Sequence, residues 1–381
     1  LSGSSTTSPG EDGRQDAAEP PADYVLSGGV SFEPTRFTAE VLLLETGTGR
    51  CAWAEFYERP MTDRSVGEAG DDVANAIARM VAQPYGVVFS RHTPAALKKP
   101  LSELTPYDAV LRFYHYWRIY DRNEHEIVRL GLEQAIVAEP DFAEAYAALS
   151  MVLSDAFRFG YDEGRYSFDA RSRALALAQR AIELAPGSSR AYQALSLARW
   201  FLNDLTASFA ALEVGLGLNS NDTDIMAELG FRYALTMDWG KAVPLLERSF
   251  ALNPLQPSTY RVALSLYHYM HGRYDVALME AQRVEAPNVP YAHIMVAISA
   301  ARLGRVVEAE RAVARLLALD PDYAAHVEAD LARRYVHPGA IATVVEGLRA
   351  AGLGGTPRDL QRKRRPRLLP RPHEPDASDL Q

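Results

Sequence analysis

The hydrophobic pattern changes its period along the chain. Phe37, Ala39, Val41 and Leu43 are apolar where Thr38 and Glu40 are polar, the two-residue period of a strand with one buried face. Tyr24–Phe32 and Cys51–Tyr57 read as strands on either side of it. Glu33-Pro34-Thr35-Arg36 and Thr46-Gly47-Thr48-Gly49 supply the turns. A three-strand meander needs cover on its apolar face. Val73, Ile77, Met80 and Val81 offer it, recurring at helical spacing until Gln83-Pro84. Residues 23–90 are therefore expected to form a small α+β domain, and residues 91–105 a linker.

From Pro106 the period is helical and the pattern repeats. Turn positions fall at Pro140, Pro186, Ser220, Pro254, Pro287 and Pro321, at successive intervals of 46, 34, 34, 33 and 34. A period near 34 is that of a two-helix repeat. The first interval exceeds the others by about a dozen, which predicts an insertion in one loop between paired helices. Small residues recur where two helices of a repeat must cross. Ala174, Ser208, Ala242 and Ala309 stand at the same offset before Pro186, Ser220, Pro254 and Pro321, and Ala178 and Ala181 follow the first of them. Gly272 and Gly304 precede Ala277 and Ala309 by five and mark turns within pairs. The repeat ending near Pro287 is one residue out of phase.

The runs Ala174-x6-Ala181-x4-Pro186, Leu229-Gly230-x2-Tyr233-x8-Ala242 and Gly304-x4-Ala309-x11-Pro321 resemble tetratricopeptide (TPR) repeats, over residues 106–321. Asp320–Ala325 and Glu346–Leu353 resemble the close of bacterial TPR proteins attached to class III adenylate cyclases or winged-helix regulators. At the front, Tyr24–Val30, Phe37–Leu44 and Thr48–Tyr57 are similar to the second half of a TolB-amino-terminal-like (TolB-N) or FlgO-like α/β domain. Such a domain opens with a further strand and helix, whereas residues 1–22 here are polar and Pro-rich and read as disordered.

The resemblance implies a mainly α fold: a TPR-type α-solenoid of antiparallel helix pairs preceded by the small α+β domain. About six repeats fill residues 106–321, capping helices follow at 322–353, and a disordered basic tail occupies 354–381. It also implies a cytoplasmic scaffold for protein–protein interaction in bacterial signalling or regulation. The alternative is the regulatory C-terminal region of a class III adenylate cyclase or of a winged-helix transcription regulator, although no residues here match the catalytic or DNA-binding modules.

A single cysteine rules out an internal disulfide framework and a multi-thiolate zinc site. The formal charge of −9 argues against a general nucleic-acid binder. It leaves only the tail, Arg358 to Arg371, as either an arm for an acidic partner or a solvated end. No run approaches the roughly 20 apolar residues of a membrane helix. There is no Gly-rich phosphate loop. His268 and His271, with His115 and His125, lack a carboxylate at ligand spacing. Cys51 reads as a small core residue, Ser90 and His92 as linker residues, and Asp71 and Asp72 as acids favouring the N-terminal part of their helix. No catalytic residue, metal or cofactor is expected.

In a TPR array the first helix of each pair lines a concave surface, and partner segments are laid in it. The repeat phase places Phe113, Trp117, Tyr120, Trp200, Phe201, Phe231, Leu266 and Tyr269 on that surface, with Arg190 and Gln193 as polar neighbours. These residues are expected to bind an apolar segment of a partner protein, or of an upstream domain of the parent chain. The same rings could instead pack between repeats or lie under the helix after Pro321. Phe157, Phe159, Tyr161, Tyr166 and Phe168, in the insertion, read either as a binding flap or as cover for a neighbouring repeat.

Overall fold

The computed structural model of the chain describes residues 22–61, 65–81, 84–161 and 168–354. Apart from Ala22 and Gly354, the two ends expected to be disordered lie outside the described residues. The described residues fall into two compact units, one up to Ile77 and one from Ala78 on.

In the first unit the alternating segments pair as an antiparallel sheet, β1 (Tyr24–Glu33), β2 (Arg36–Glu45) and β3 (Cys51–Pro60), in that order. Phe37, Ala39 and Val41 of β2 are buried against Ala69 and Val73 of helix α1 (Val66–Val81), with Trp53 and Tyr57 beside them. A capping box starts α1: Glu68 N donates to Ser65 Oγ at 3.2 Å and Ser65 N to Glu68 Oε2 at 2.7 Å. Glu68, rather than Asp71 or Asp72, therefore occupies the first turn, and Asp72 instead pairs with Arg59 of β3 at 2.6 Å.

Two features of the sheet depart from simple alternation. Cys51 is exposed, not core, because the register shifts between Leu43 and Leu44 just where Cys51 pairs. Residues directly opposite in an antiparallel pair share a face, so Leu26, Val30 and Phe32 of β1 stand on the face that buries Leu43, Ala39 and Phe37. Yet Val30 is 70% and Phe32 65% exposed. Helix α1 covers β2 and β3 and leaves the β1 half of that face bare.

The second unit opens with α2 (Val87–Lys98) and a 3-10 turn at Leu101–Glu103. Residues expected as a linker are thus largely helical. Pro94 lies inside α2 and hides it from a pattern reading, while Phe89 packs edge-on against Tyr114 at 5.2 Å. Six antiparallel pairs follow: α3 (Pro106–Ile119) with α4 (Arg122–Ala138), α5 (Ala143–Phe159) with α6 (Phe168–Leu184), α7 (Ser189–Phe201) with α8 (Leu205–Leu218), α9 (Thr223–Leu235) with α10 (Trp239–Leu252), α11 (Arg261–Met270) with α12 (Tyr274–Gln282), and α13 (Pro290–Arg302) with α14 (Val306–Leu319). The six turn positions all fall between one pair and the next element. This is a TPR-type α-solenoid, in which each pair buries its contact on its neighbours.

The crossings explain the small residues. Ser196 and Ser208 meet hydroxyl to hydroxyl at 2.8 Å, and Ser265 Oγ donates to the Ala277 carbonyl at 2.7 Å. At Gly230 a Cβ would lie 3.1 Å from the Ala242 carbonyl and 2.9 Å from Leu246 Cγ. The sequence separation is the same in all three pairs, Ser196 to Ser208, Gly230 to Ala242 and Ser265 to Ala277. The second helix pair keeps the contact across the insertion, with Ser150 Oγ donating to the Ala174 carbonyl at 2.7 Å. Measured against α7 and α8, α5 is longer by four residues, α6 by three and their connection by five. The insertion therefore lengthens the helices as well as the loop. The repeat near Pro287 is out of phase because α11 and α12 are short, ten and nine residues, and a 3-10 turn at Ser258–Tyr260 precedes α11.

The array coils tightly. Asn288, before α13, donates from Nδ2 to the Ile119 carbonyl and to Asp121 Oδ2, each at 3.4 Å, so the first and sixth pairs meet. The last two helices, α15 (Tyr323–Arg333) and α16 (Pro338–Ala351), were expected to cap the end of the array. Helix α16 packs on both helices of the last pair, and the segment from Arg334 to His337 reaches the concave side at Trp200 and Leu235.

Candidate functional site

The first helices α5, α7, α9, α11 and α13 face a common interior, and the C-terminal helices fill its inner sector. Trp200 of α7 donates its indole N–H to the Arg334 carbonyl at 3.2 Å and meets the Tyr335 ring edge-on at 5.7 Å. The Leu235 carbonyl, at the end of α9, accepts from His337 N at 2.8 Å. The Arg334 guanidinium donates to the Arg158 carbonyl of α5 and lies 4.3 Å over the Tyr291 ring of α13. Between these groups there remains a cavity of about 60 Å³, room for no more than a few waters.

Charged groups buried here are paired with one another, as a low-dielectric interior demands. Arg232 bonds Glu228 one turn back at 2.5 Å and stacks 4.4 Å over Trp200. Nearer the helix starts, Arg190 of α7 pairs with Asp224 of α9 at 2.6 Å and with the Gln193 side chain. Tyr260 donates to the other Asp224 oxygen at 2.7 Å. Burial raises the Asp224 carboxyl above its ordinary value although Arg190 pulls it down.

Asp155 accepts from Tyr116 at 3.1 Å and lies 3.5 Å from Arg158. Burial pushes its carboxyl up to about 7, against the pull of Arg158. The folded state therefore holds this proton more tightly than the unfolded chain, whose carboxyl titrates near 4, and the contribution to stability is lost as pH rises through about 7. The melting temperature of Asp155→Asn relative to wild type is expected to climb between pH 5 and pH 8. A difference independent of pH would show that Asp155 is ionised and fully compensated throughout.

The outer sector of the concave side is less completely filled. A cleft of about 570 Å³ lies where the first and sixth pairs approach each other, bordered by Tyr120, Arg122, Tyr161, Asn288, Tyr323 and Arg333. Tyr161 donates to the Tyr120 carbonyl at 2.8 Å and stacks on Phe159 at 5.4 Å, which fixes one wall. Asp330 fixes the other. Its burial is outweighed by Arg334 and Arg333, which hold its carboxyl low, and the Tyr291 and Tyr323 hydroxyls donate to it at 3.2 and 2.9 Å.

The expected groove residues all lie on first helices or their caps, but they are not a free surface. Phe113, Trp117, Tyr120, Arg190, Gln193, Trp200, Phe201, Leu266 and Tyr269 are buried, and Phe231 is half-buried. Trp200, Phe201, Phe231 and Leu266 line the small inner cavity, and Tyr120 borders the larger outer cleft. Tyr269 lies under α16, its hydroxyl 2.6 Å from where a Cβ on Gly347 would stand. The reason is the fold-back of α15 and α16, the cover that the sequence left open as an alternative. The insertion rings likewise cover neighbours: Phe157 packs on Phe201 at 5.5 Å and Phe159 on Tyr120 at 5.1 Å. Tyr166 and the Phe168 side chain lie outside the described residues.

Sequence reading missed Arg158, Arg232, Arg334 and their acids. A signal was available: Asp155-x2-Arg158 and Glu228-x3-Arg232 set opposite charges one turn apart within otherwise apolar helices. The histidines have local roles. His125 Nε2 bonds the Val152 carbonyl at 2.9 Å, with burial lowering its pKa, and Arg273 donates to His268 at 2.9 Å. Among the described residues no group of three or more His, Cys, Asp or Glu could hold a metal ion, and no helix is long and apolar enough to cross a membrane.

No family model and no curated protein sequence matches the chain. Solved structures do. YrrB, a TPR protein with an unusual peptide-binding site, is similar at 20% identity over 52% of this chain and 96% of its own, with a TM-score of 0.32. The Cut9–Hcn1 hetero-tetramer is similar at 14% identity over 78% and 55%, TM-score 0.48. Yeast Tom70 is similar at 16% identity over 70% and 58%, TM-score 0.38.

Proposed function

We propose that the chain is a non-enzymatic scaffold that holds a segment of a partner protein on the concave side of its TPR-type array. The observation that carries this reading is the outer cleft. Tyrosines and guanidinium groups at its rim combine large contact area with directional donors, the composition enriched at protein-recognition surfaces. The charged side chains buried deeper are engaged in holding helices together, which favours a binding role over a catalytic one. A setting in bacterial signalling, and the cyclase or winged-helix alternatives, rest on the sequence resemblance alone.

A photo-crosslinking residue at position 161 tests the reading, with one at the exposed Val137 of α4 as control. In lysate of the source cells, position 161 is expected to give discrete protein adducts that Val137 does not, and Arg333→Glu should remove them. Identical adducts at both positions would refute binding in the cleft.

A further inference from the structure

The inner sector is already filled by a helix of the same chain. Helices α15 and α16 do not form a further pair: they touch each other far less than the paired helices do, and α16 packs chiefly on α13 and also on α14. Its path runs from Leu235, at the end of α9, to Ile298 of α13. A Cβ on Gly339 would lie 3.9 Å from Met237 Sδ, and one on Gly347 only 2.9 Å from Ile298. Arg302 of α13 pairs with Glu346 at 2.9 Å along one flank. Ala340, Val344, Leu348 and Ala351 face the groove, whereas Ala342, Glu346 and Arg349 face away. This is the pattern of an amphipathic helix laid in a groove.

The approach to α16 is gripped through its main chain. The Trp200 indole holds the Arg334 carbonyl, and the Leu235 carbonyl holds His337 N. Main-chain contacts of this kind accept any sequence with the right shape. The seat is also imperfectly filled: Nε of Arg232, which lines the residual cavity, is buried without a hydrogen-bond partner among the described residues. An occupant that leaves a buried donor unsatisfied leaves room for a ligand that supplies the acceptor.

We propose that the inner sector is a docking site for an amphipathic helix of a partner protein, and that α16 is its intramolecular stand-in. The partner helix carries a small residue where Gly347 meets Ile298, aliphatic residues at the Val344 and Leu348 positions, and an extended approach in place of Arg334–His337. This rests on the scaffold reading and adds to it which chemistry the partner presents and that access is gated by the chain's own helix α16.

The test uses the full chain and, as probe, a fluorescent synthetic peptide of residues 334–353. In Gly347→Val the added carbons overlap Ile298 and the Tyr269 hydroxyl, so α16 is expected to lift. Amides of 335–353 then exchange faster while those of α5–α13 stay protected. Apparent affinity scales with the open fraction, so the peptide binds this variant about tenfold or more tighter than wild type. Adding Met237→Cys with Gly339→Cys, in a Cys51→Ser background, locks α16 down. Binding then returns to the wild-type level and is released by reductant. Faster exchange throughout α7–α14 would make α16 part of the core and overturn the proposal. So would an opened α16 with no peptide binding, unchanged exchange in 335–353, or binding indifferent to the lock. Crosslinking from position 161 separates the two readings: adducts that persist when the peptide fails leave the scaffold standing, and loss of both removes it.

Discussion

Trp200→Ala is expected to lower the stability of the array by about 3–5 kcal/mol, the range for emptying a large buried aromatic site. Trp200 is fully buried where the concave side meets its C-terminal cover. Truncation leaves a cavity and strips the Arg334 carbonyl of its indole donor, while Arg232 loses the ring it stacks on. Rigid neighbours on several helices cannot collapse into the space together. Urea titration followed by far-ultraviolet circular dichroism measures the loss. Trp200→Phe, which keeps most of the volume and removes the donor, should cost about 1–3 kcal/mol. A Trp200→Ala chain within about 1 kcal/mol of wild type, below that cavity range, would show that α15 and α16 do not rest on this side chain.

Arg190→Met is expected to cost about 3–5 kcal/mol, because it abandons a buried carboxylate rather than merely deleting a bond. Arg190 is the charge that offsets part of the cost of burying Asp224, whose carboxyl burial still raises, and Asp224 in turn receives Tyr260. Replacing both partners, Arg190→Met with Asp224→Leu, removes the charge to be stranded, and stability should return to within about 2 kcal/mol of wild type. The remainder is the Tyr260 hydroxyl left without its acceptor. A double variant as unstable as the single one would mean that the pair contributes packing and not charge compensation. Both chains can be compared by chemical denaturation at pH 7.

Much of the architecture was legible because it rests on short-range arithmetic. A period near 34 places the turns, and the crossing pairs Ser196 with Ser208 and Gly230 with Ala242 are fixed by how closely two backbones must pass. The strands were legible for the same reason, since alternation follows from the pleat. What escaped was set by long-range choice. The phase of a first helix says that Trp200 and Leu266 are on the inner face but not what covers that face, and the cover comes from residues 134 positions away in the case of Trp200 and Arg334. Helix α2 escaped because Pro94 breaks its pattern. Cys51 escaped because a register shift cancels the alternation that would have buried it. The outer cleft was only partly visible, through Tyr120, since Asn288 and Tyr323 reach it by the coiling of the array and not by their position in a repeat.

The bare half of the small sheet constrains how the molecule behaves at high concentration. Strand β1 has a neighbour on one side alone among the described residues, runs ten residues without a lysine or proline, and carries Val30 and Phe32 in the open. Such a margin is a template on which another extended chain can grow. Storage conditions that keep this protein dilute, or a lysine placed at Val30, should decide whether it remains monodisperse or drifts into soluble aggregates over days.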